Sequence, residues 1–174
     1  MGRRPRSAGR DPALYRPNVG LALFNRQGQV FYGRRVTAGL EADGAYQWQM
    51  PQGGIDEGET PAEAAARELE EEIGVGADLV EILEETADWI FYDFPPDIRR
   101  RLSSRKERFL GQRQKWFALR FKGQDRDVRL DRHTPEFSAW RWGALAEAPS
   151  LIIPFKRPVY EEIARRFRRF EAPV

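Results

Sequence analysis

One helical segment constrains the fold more than any other part of the sequence, because it carries its own start and stop signals. Thr60 is a good N-cap, Pro61 suits the first helical position, and Glu63, three residues after the cap, completes a capping box. Gly74 is placed for the left-handed cap that ends many helices. An apolar stripe recurs between them at helical spacing, formed by Ala62, Ala65, Ala66, Leu69 and Ile73. The sequence therefore predicts an α-helix over Pro61–Ile73 that packs one face against a core.

The polar face of this helix is strongly acidic. Glu68, Glu71 and Glu72 follow i, i+3, i+4 spacing and share one face, where their like charges repel. Arg67 is the only cation in the helix. Clustered carboxylate oxygens are the ligands that Mg²⁺ and Mn²⁺ prefer. A divalent cation site is one interpretation, and an acidic face exposed to solvent is the alternative that the glutamates alone leave open.

Charge is also distributed unevenly along the rest of the chain. The formal net charge is +2, from 29 lysines and arginines against 27 aspartates and glutamates. Basic residues concentrate in 1–16, 97–115 and 165–169, whereas acidic residues concentrate in 56–72. An acidic centre within a basic chain indicates a cation site that handles an anionic ligand. Solvated surface charge is again the alternative.

Length and residue usage exclude several classes of protein. The 174 residues suit one domain whose core needs no disulfide or metal to fold. With no cysteine and one histidine, the chain has no thiolate zinc site and no three-histidine metal site. No apolar run approaches the ~20 residues of a membrane span, and no signal peptide is apparent. We expect a single domain over 15–174, a flexible basic arm over 1–14, a cytoplasmic location and no membrane contact.

The remaining patterns predict a sheet with few helices. Apolar and alternating runs predict strands at 19–24, 29–35, 47–50, 79–83, 89–94, 114–121 and 137–142, the first two joined as a hairpin. A terminal helix is predicted over 158–170, a loop over 37–46, and no regular structure over 52–54. Strands that alternate irregularly with two or three helices indicate an α+β or α/β sandwich.

The acidic helix belongs to a longer pattern that resembles a known family. From Gly53 to Val75 the sequence follows G-x5-E-x7-R-E-U-x-E-E-x-G-U, where U is apolar, at every specified position. This is the signature of the Nudix hydrolases. The resemblance implies an α/β Nudix fold, in which a mixed β-sheet is sandwiched between α-helices. It also implies metal-dependent cleavage of a diphosphate linkage in a nucleoside diphosphate attached to another group.

The resemblance carries roles for the residues of this pattern. Glu68 and Glu72 would be direct ligands of Mg²⁺ or Mn²⁺, and Glu71 would be a ligand or the general base. The carbonyl group of Gly53 can join the ligands, since a glycine lets the backbone approach metal or phosphate closely. Arg67 would hold the carboxylates in register.

Shorter segments resemble one branch of the family, the bacterial RNA pyrophosphohydrolases, which shades into the dinucleoside polyphosphate hydrolases. These segments are YRPNVG at 15–20, WQMPQGG at 48–54, GQRQKWF at 111–117, TPEF at 134–137 and PFKR at 154–157. In this branch Glu136 would be a further metal ligand or base. Residues that would contact the substrate are Arg16, Arg35, Gln52, Gln112, Gln114, Phe155 and Lys156.

Four of these substrate residues have an ordinary structural alternative. Phe155 would stack on a nucleobase, which is worth about 1–3 kcal/mol, but it can equally be a core phenylalanine. Arg16, Arg35 and Lys156 would hold phosphates, but each can be a plain surface charge. The two glutamines on either side of Arg113 can face the site.

The resemblance implies three possible activities. The first is removal of pyrophosphate from the 5′-triphosphate end of RNA, which leaves a 5′-monophosphate and would serve mRNA decay. The second is hydrolysis of a dinucleoside polyphosphate such as diadenosine tetraphosphate. The third is a non-catalytic nucleotide or RNA-binding module, for which an intact acidic pattern has no chemical need. No haem or nicotinamide cofactor is expected.

Overall fold

A computed structural model describes residues 9–36, 46–102 and 108–174. Within these residues the strands are β1 (Tyr15–Phe24), β2 (Val30–Arg35), β3 (Trp48–Gln49), β4 (Gln52–Gly54), β5 (Val80–Glu85), β6 (Ile90–Asp93), β7 (Gly111–Phe121) and β8 (Phe137–Gly143). The helices are α1 (Pro61–Ile73), α2 (Pro96–Arg101), α3 (Ala148–Leu151) and α4 (Arg157–Arg166). No helix of the described residues is both long enough and apolar enough to cross a membrane.

The strands form one mixed sheet. Its main path runs β3-β2-β1-β7-β5, with β4 paired to β1, β6 to β7 and β8 to β2. The long strands β1 and β7 lie parallel at the centre, and the other pairs are antiparallel. The predicted hairpin of the first two strands is confirmed by the pairing of Phe24 with Val30.

The two faces of the sheet are covered by separate cores, as alternation along a strand requires. Val19, Leu21 and Leu23 of β1 pack with α1, whereas Ala22 and Phe24 point to the opposite core. The opposite core also contains the buried residues of α4, which are Val159, Tyr160 and Ile163. The expected Nudix architecture, a mixed sheet between helices, is therefore confirmed.

Helix α1 begins and ends where the sequence predicted. The hydroxyl of Thr60 accepts from the backbone N–H of Glu63 at 3.2 Å, and the Thr60 N–H donates to the Glu63 carboxylate at 2.8 Å. Gly74 has a φ of 71°, in the left-handed region that favours glycine. The helix is thereby fixed at both ends, beside strand β4.

Several elements differ from the sequence prediction. Residues 52–54, expected to be irregular, form β4, because they pair antiparallel with β1 through Val19 and Gly53. Helix α2 was not predicted, since Ile98 is its only buried residue and gives no periodic stripe. The terminal helix ends at Arg166 and is followed by a 3-10 turn, short of the predicted end at 170.

Two predicted segments are described only in part. Of the arm over 1–14, the structure describes residues 9–14, where Pro12–Leu14 forms a 3-10 turn and Arg10 pairs with Asp93 at 3.0 Å. Residues 1–8, and all but the last residue of the loop predicted over 37–46, lie outside the described part of the chain.

Candidate active site

Arg67 connects the glycine-rich strand β4 to the acidic face of α1. Its Nε lies 2.8 Å from Glu59 Oε1, and its Nη2 donates to the carbonyl oxygen of Gly54 at 2.8 Å. Its Nη1 contacts Glu68 at 2.9 Å and Glu71 at 3.3 Å. Hydrogen bonding to Arg67 lowers the pKa of Glu59. One guanidinium therefore holds three carboxylates and the β4 backbone together.

Glu72 is the most deeply buried carboxylate on this face, with 7% of its surface exposed. The backbone of Gln52 hydrogen bonds to it, yet its Oε2 is buried without a hydrogen-bond partner. Burial, and then the charges of Glu68 and Glu136, raise the pKa of Glu72 well above its ordinary range. Burial also raises the pKa of Glu68. The ionised forms of Glu68 and Glu72 are therefore only partly compensated by the protein. We call the place where Glu68, Glu71 and Glu72 lie beside Gly53 and Gly54 the acidic corner.

A divalent cation fits the chemistry of this corner. The orphaned oxygen of Glu72 and the crowded carboxylates are oxygen donors of the kind that Mg²⁺ binds. A Cβ at Gly53 would overlap the carboxylate of Glu68, so only glycine permits this close approach. Within the described residues no three acidic or histidine side chains converge as a ligand set, and Glu68 and Glu71 turn instead toward Arg67. A cation would have to compete with that guanidinium.

Glu136, predicted from outside the acidic pattern, lies close enough for its charge to affect Glu68 and Glu72. Its carbonyl oxygen accepts from the backbone N–H of Val36 at 3.0 Å. Upstream, His133 Nε2 lies 2.8 Å from Glu70 on the flank of α1. The segment between β7 and β8 is thus tied to the acidic helix, and the ligand roles predicted for Gly53, Glu68, Glu71, Glu72 and Glu136 stay predictions.

Five of the predicted substrate residues line one cavity. They come from β1, β2, β7 and the turn before α4, and they are Arg16, Arg35, Gln112, Phe155 and Lys156. The ring of Phe155 lies 6.0 Å from that of Tyr92, and both rings have the ammonium group of Lys156 within 6.0 Å. A Cβ at Gly54 would lie 2.6 Å from the Arg16 guanidinium. Arg16 therefore joins this cavity to the glycines beside the acidic corner.

A chain of buried amides fixes how Gln112 faces this cavity. Trp116 Nε1, which can only donate, bonds Gln114 Oε1 at 2.9 Å, so the amide nitrogen of Gln114 points the other way. That nitrogen donates to Asn18 at 2.8 Å and approaches Gln112 Oε1 at 3.4 Å. The hydroxyl of Tyr92, whose pKa is raised by burial, also donates to Gln112 Oε1, at 2.5 Å. With its oxygen occupied, Gln112 offers its NH₂ group to a ligand.

The other two predicted substrate residues lie elsewhere. Gln114 is 1% exposed and its amide is committed to Asn18 and Trp116, so it supports the site from the core instead of lining the cavity. Gln52 lies in β4, where its backbone hydrogen bonds to Glu72, and its Oε1 is buried without a hydrogen-bond partner. Gln114 shares a strand face with Gln112, and sequence alternation alone does not separate the two.

Sequence reasoning missed several residues that line the cavity. One of them is Tyr92, which pairs across the sheet with Gln112. The others lie in or near α2, which are Phe94, Ile98, Leu102 and Phe109, or just before the turn that precedes α4, which is Ile153. Only Tyr92 and Phe94 lie within a predicted strand, and that prediction did not say which face of the sheet they line. The others depend on how distant segments pack.

Comparisons with known proteins agree with this geometry. The chain matches the NUDIX domain over residues 14–163. A protein of Acidiphilium cryptum named RNA pyrophosphohydrolase is 55% identical over 157 residues, which are 90% of this chain and 92% of that protein. A Brucella abortus protein of the same name is 49% identical over 164 residues, covering 91% and 90% of the two chains.

Solved structures are similar in fold at low identity. A dihydroneopterin triphosphate pyrophosphohydrolase of E. coli aligns with a TM-score of 0.62 and 19% identity, over 88% of this chain and 99% of that one. An Ap4A hydrolase of C. elegans aligns with a TM-score of 0.56 and 18% identity, over 88% and 94%. Nudix hydrolases generally use divalent metal ions, which agrees with the acidic corner. With the domain match over most of its length and relatives near 50% identity, the chain belongs to the Nudix family.

Proposed function

We propose that the protein is a metal-dependent pyrophosphohydrolase that removes pyrophosphate from the 5′-triphosphate end of RNA. The observation that carries the proposal is the position of Arg16, which links a cavity of cationic and aromatic residues to the glycines beside the acidic corner. A nucleotide in the cavity would present its phosphates to that corner. The similarity to proteins named RNA pyrophosphohydrolase supports the same substrate.

The reaction adds water across a phosphoanhydride bond. The water oxygen bonds to the phosphorus that stays on the RNA, the bond to the bridging oxygen breaks, and pyrophosphate leaves. Mg²⁺ or Mn²⁺ bound at the acidic corner would neutralise phosphate charge and lower the pKa of water. Glu68, Glu71 and Glu72 would hold it, joined by Glu136 and the Gly53 carbonyl group.

The remaining groups act on the substrate. Arg16, Arg35 and Lys156 would bind phosphate oxygens, and the ring of Phe155 would stack on a nucleobase. Gln112 would donate its NH₂ group to an acceptor on the ligand. Glu71 or Glu136 would take the proton of the attacking water, since a general base must lie within hydrogen-bond reach of it. This activity would make the protein a cytoplasmic enzyme of bacterial mRNA decay.

A dinucleoside polyphosphate is the second candidate substrate. The observation that favours it is a second cavity on the other side of Arg16, which could accept a second nucleoside. The cationic residues that suit a triphosphate also suit a longer polyphosphate chain.

One experiment separates the candidates. The protein is incubated with Mg²⁺ and either 5′-triphosphorylated RNA or diadenosine tetraphosphate, and the products are identified by chromatography. We expect pyrophosphate and 5′-monophosphorylated RNA, formed more efficiently than products from the dinucleotide. The opposite preference would replace the first candidate by the second. Binding of both substrates without turnover would indicate a non-catalytic module.

A further inference from the structure

The second cavity differs from the first in what lines it. Its volume is about 440 Å³, within the range of small-molecule sites. Arg16 and Phe109 line both cavities, so the two are neighbours. Trp89, Arg108 and Arg113 line only the second. None of these three belongs to the acidic pattern or to the predicted substrate residues.

Two of its arginines lie against aromatic rings. The guanidinium carbon of Arg113 is 4.3 Å from the centre of the Trp89 ring, and that of Arg108 is 4.6 Å from the Phe109 ring. Lys115 also approaches Trp89, at 5.4 Å, but its ammonium group donates to the carbonyl oxygens of residues 86 and 87. Two pairs of an arginine and an aromatic ring thus line this cavity.

Among the described residues, the guanidinium group of Arg113 lacks a hydrogen-bond partner at one of its nitrogen atoms. Its Nε is buried and meets no hydrogen-bond partner in the described part of the chain. Burial lowers its pKa, which means that the charged form lacks compensation there. The charge of a partly desolvated guanidinium is best satisfied by an anion, and Arg favours phosphate oxygens. Asp56, Glu57 and Glu59 also line this cavity, so an anion would have to bind beside the arginines and away from these carboxylates.

Protein surfaces that combine arginines with aromatic rings commonly bind single-stranded nucleic acids. Bases stack on the rings and guanidinium planes whatever their sequence, and the cations follow the backbone phosphates. Trp89 is only partly buried, so its ring is not consumed by the core. A single phosphate would satisfy Arg113 but would leave the aromatic rings unused. The combination therefore fits a whole nucleotide unit.

We propose that Trp89 and Arg113 form a second nucleotide site, which binds a base and its phosphate beyond the unit held by Phe155. The inference rests on the proposed function, because that function supplies a substrate with a further nucleotide. The base stacks on the Trp89–Arg113 pair, and its phosphate is held by Arg113 and Arg108. Either an RNA chain or the far half of a dinucleoside polyphosphate has the required chemistry.

The test compares substrates that reach the second site with one that does not. KM and kcat are measured for ATP, which has a single nucleotide unit, for 5′-triphosphorylated RNA of six nucleotides and for diadenosine tetraphosphate. The proteins are the wild type, Trp89→Ala, Trp89→Phe, Arg113→Gln, and Arg126→Gln as a control, an exposed arginine in a turn that lines neither cavity. Melting curves identify any variant that fails to fold. If a Trp89 variant fails, the KM values of Arg113→Gln are compared with those of the wild type instead.

We expect the wild type to bind the hexanucleotide more tightly than ATP. Trp89→Ala and Arg113→Gln should raise the KM of the hexanucleotide about tenfold more than that of ATP, consistent with the loss of one stacked base. Trp89→Phe should recover most of the difference. A rise confined to diadenosine tetraphosphate would identify the dinucleoside polyphosphate as the occupant of the same site. Equal changes for all three substrates, or none, would overturn the site.

A binding measurement separates this inference from the proposed reaction. Equilibrium binding of a labelled hexanucleotide is compared between Glu72→Gln and the double variant that also carries Trp89→Ala. If the wild type cleaves no RNA but the double variant binds about tenfold more weakly, the reaction fails and the site stands. If cleavage proceeds and binding is equal, the reaction stands and the site fails.

Discussion

The acidic corner and the Phe155 cavity are neighbours, but the chain builds them in different ways. The corner comes almost entirely from one continuous stretch, β4 through α1, joined by Arg67. The cavity is assembled from β1, β2, β6, β7, α2 and the turn before α4. Chemistry common to a family can reside in a local unit, whereas the proposed substrate cavity depends on how distant segments meet. The two regions should therefore respond differently to mutation.

The largest effect is expected in the corner. Glu72→Gln keeps the shape of the side chain but removes a ligand charge, so kcat should fall by at least about 100-fold. The fold should persist, because the substitution reduces repulsion within a buried group. Rates at saturating Mg²⁺, measured beside the exposed control Glu81→Gln, check this. Retention of half the normal activity by Glu72→Gln would contradict its assignment as a ligand.

This contrast explains how much could be predicted from the sequence. The capping box at Thr60, the Gly74 cap and the contacts of Arg67 with Glu68 and Glu71 depend on spacing within one helix, and local spacing is readable from residues alone. Strand β4 was missed because glutamine and glycine have little β propensity, and pairing with β1 imposes its conformation.

The cavity was only partly predictable for a related reason. Alternation places Gln112 and Gln114 on one face of β7, but the surroundings of the two side chains differ. Gln114 lies opposite Asn18 in the parallel pairing with β1 and is covered by the core, whereas Gln112 lies nearer the strand end and reaches the cavity. Strand register decides this, and register is a property of the whole sheet.

In the cavity, Phe155→Ala should act on binding more than on chemistry. We expect KM to rise about 5- to 100-fold for RNA and for diadenosine tetraphosphate, with metal affinity unchanged, because a stacked base is worth about 1–3 kcal/mol. Phe155 is only partly buried, so its loss should cost less stability than Phe167→Ala, where the ring is fully buried and about 3–5 kcal/mol is expected. Denaturant midpoints and Michaelis constants for both variants decide the matter. A large loss of stability with unchanged KM would make Phe155 a core residue.

A smaller effect is expected from the group that orients Gln112. Tyr92→Phe removes the hydroxyl that holds the Gln112 oxygen, so the amide can rotate and KM should rise a few-fold while kcat holds. Tyr32→Phe is the matched control, because its hydroxyl donates to the carbonyl oxygen of Ala144 outside the cavity. Each variant should lose about 1 kcal/mol of stability, the usual contribution of such a hydrogen bond. Equal KM values in the two variants would rule out an orienting role for Tyr92.

The subtlest test of the corner uses stability without metal. The pKa of Glu72 is raised in the folded protein, so between its ordinary and raised pKa the folded state binds more protons than the unfolded state. Below the pKa that Glu72 has in the unfolded protein, the stability contributed by this group is complete. It is lost as the pH rises toward the pKa of Glu72 in the folded protein, by about 1.4 kcal/mol for each pH unit between the two pKa values. Carboxylates with lowered pKa, such as Glu59 and Asp88, act in the opposite direction, so the comparison must be between variants.

Melting temperatures are therefore measured with a chelator from pH 4 to 8 for the wild type, Glu72→Gln and Glu71→Gln. Glu72→Gln should gain on the wild type as the pH rises, because it lacks the most deeply buried carboxyl group of the acidic corner. Glu71→Gln is the matched comparison, since it removes a carboxylate from the same helix face whose side chain is 44% exposed. Added Mg²⁺ should stabilise the wild type most at high pH, where Glu72 is ionised and can bind it. Parallel curves of melting temperature against pH for the wild type and Glu72→Gln would mean that ionising Glu72 costs the fold no stability. The electrostatic argument for a cation at the acidic corner would then fail.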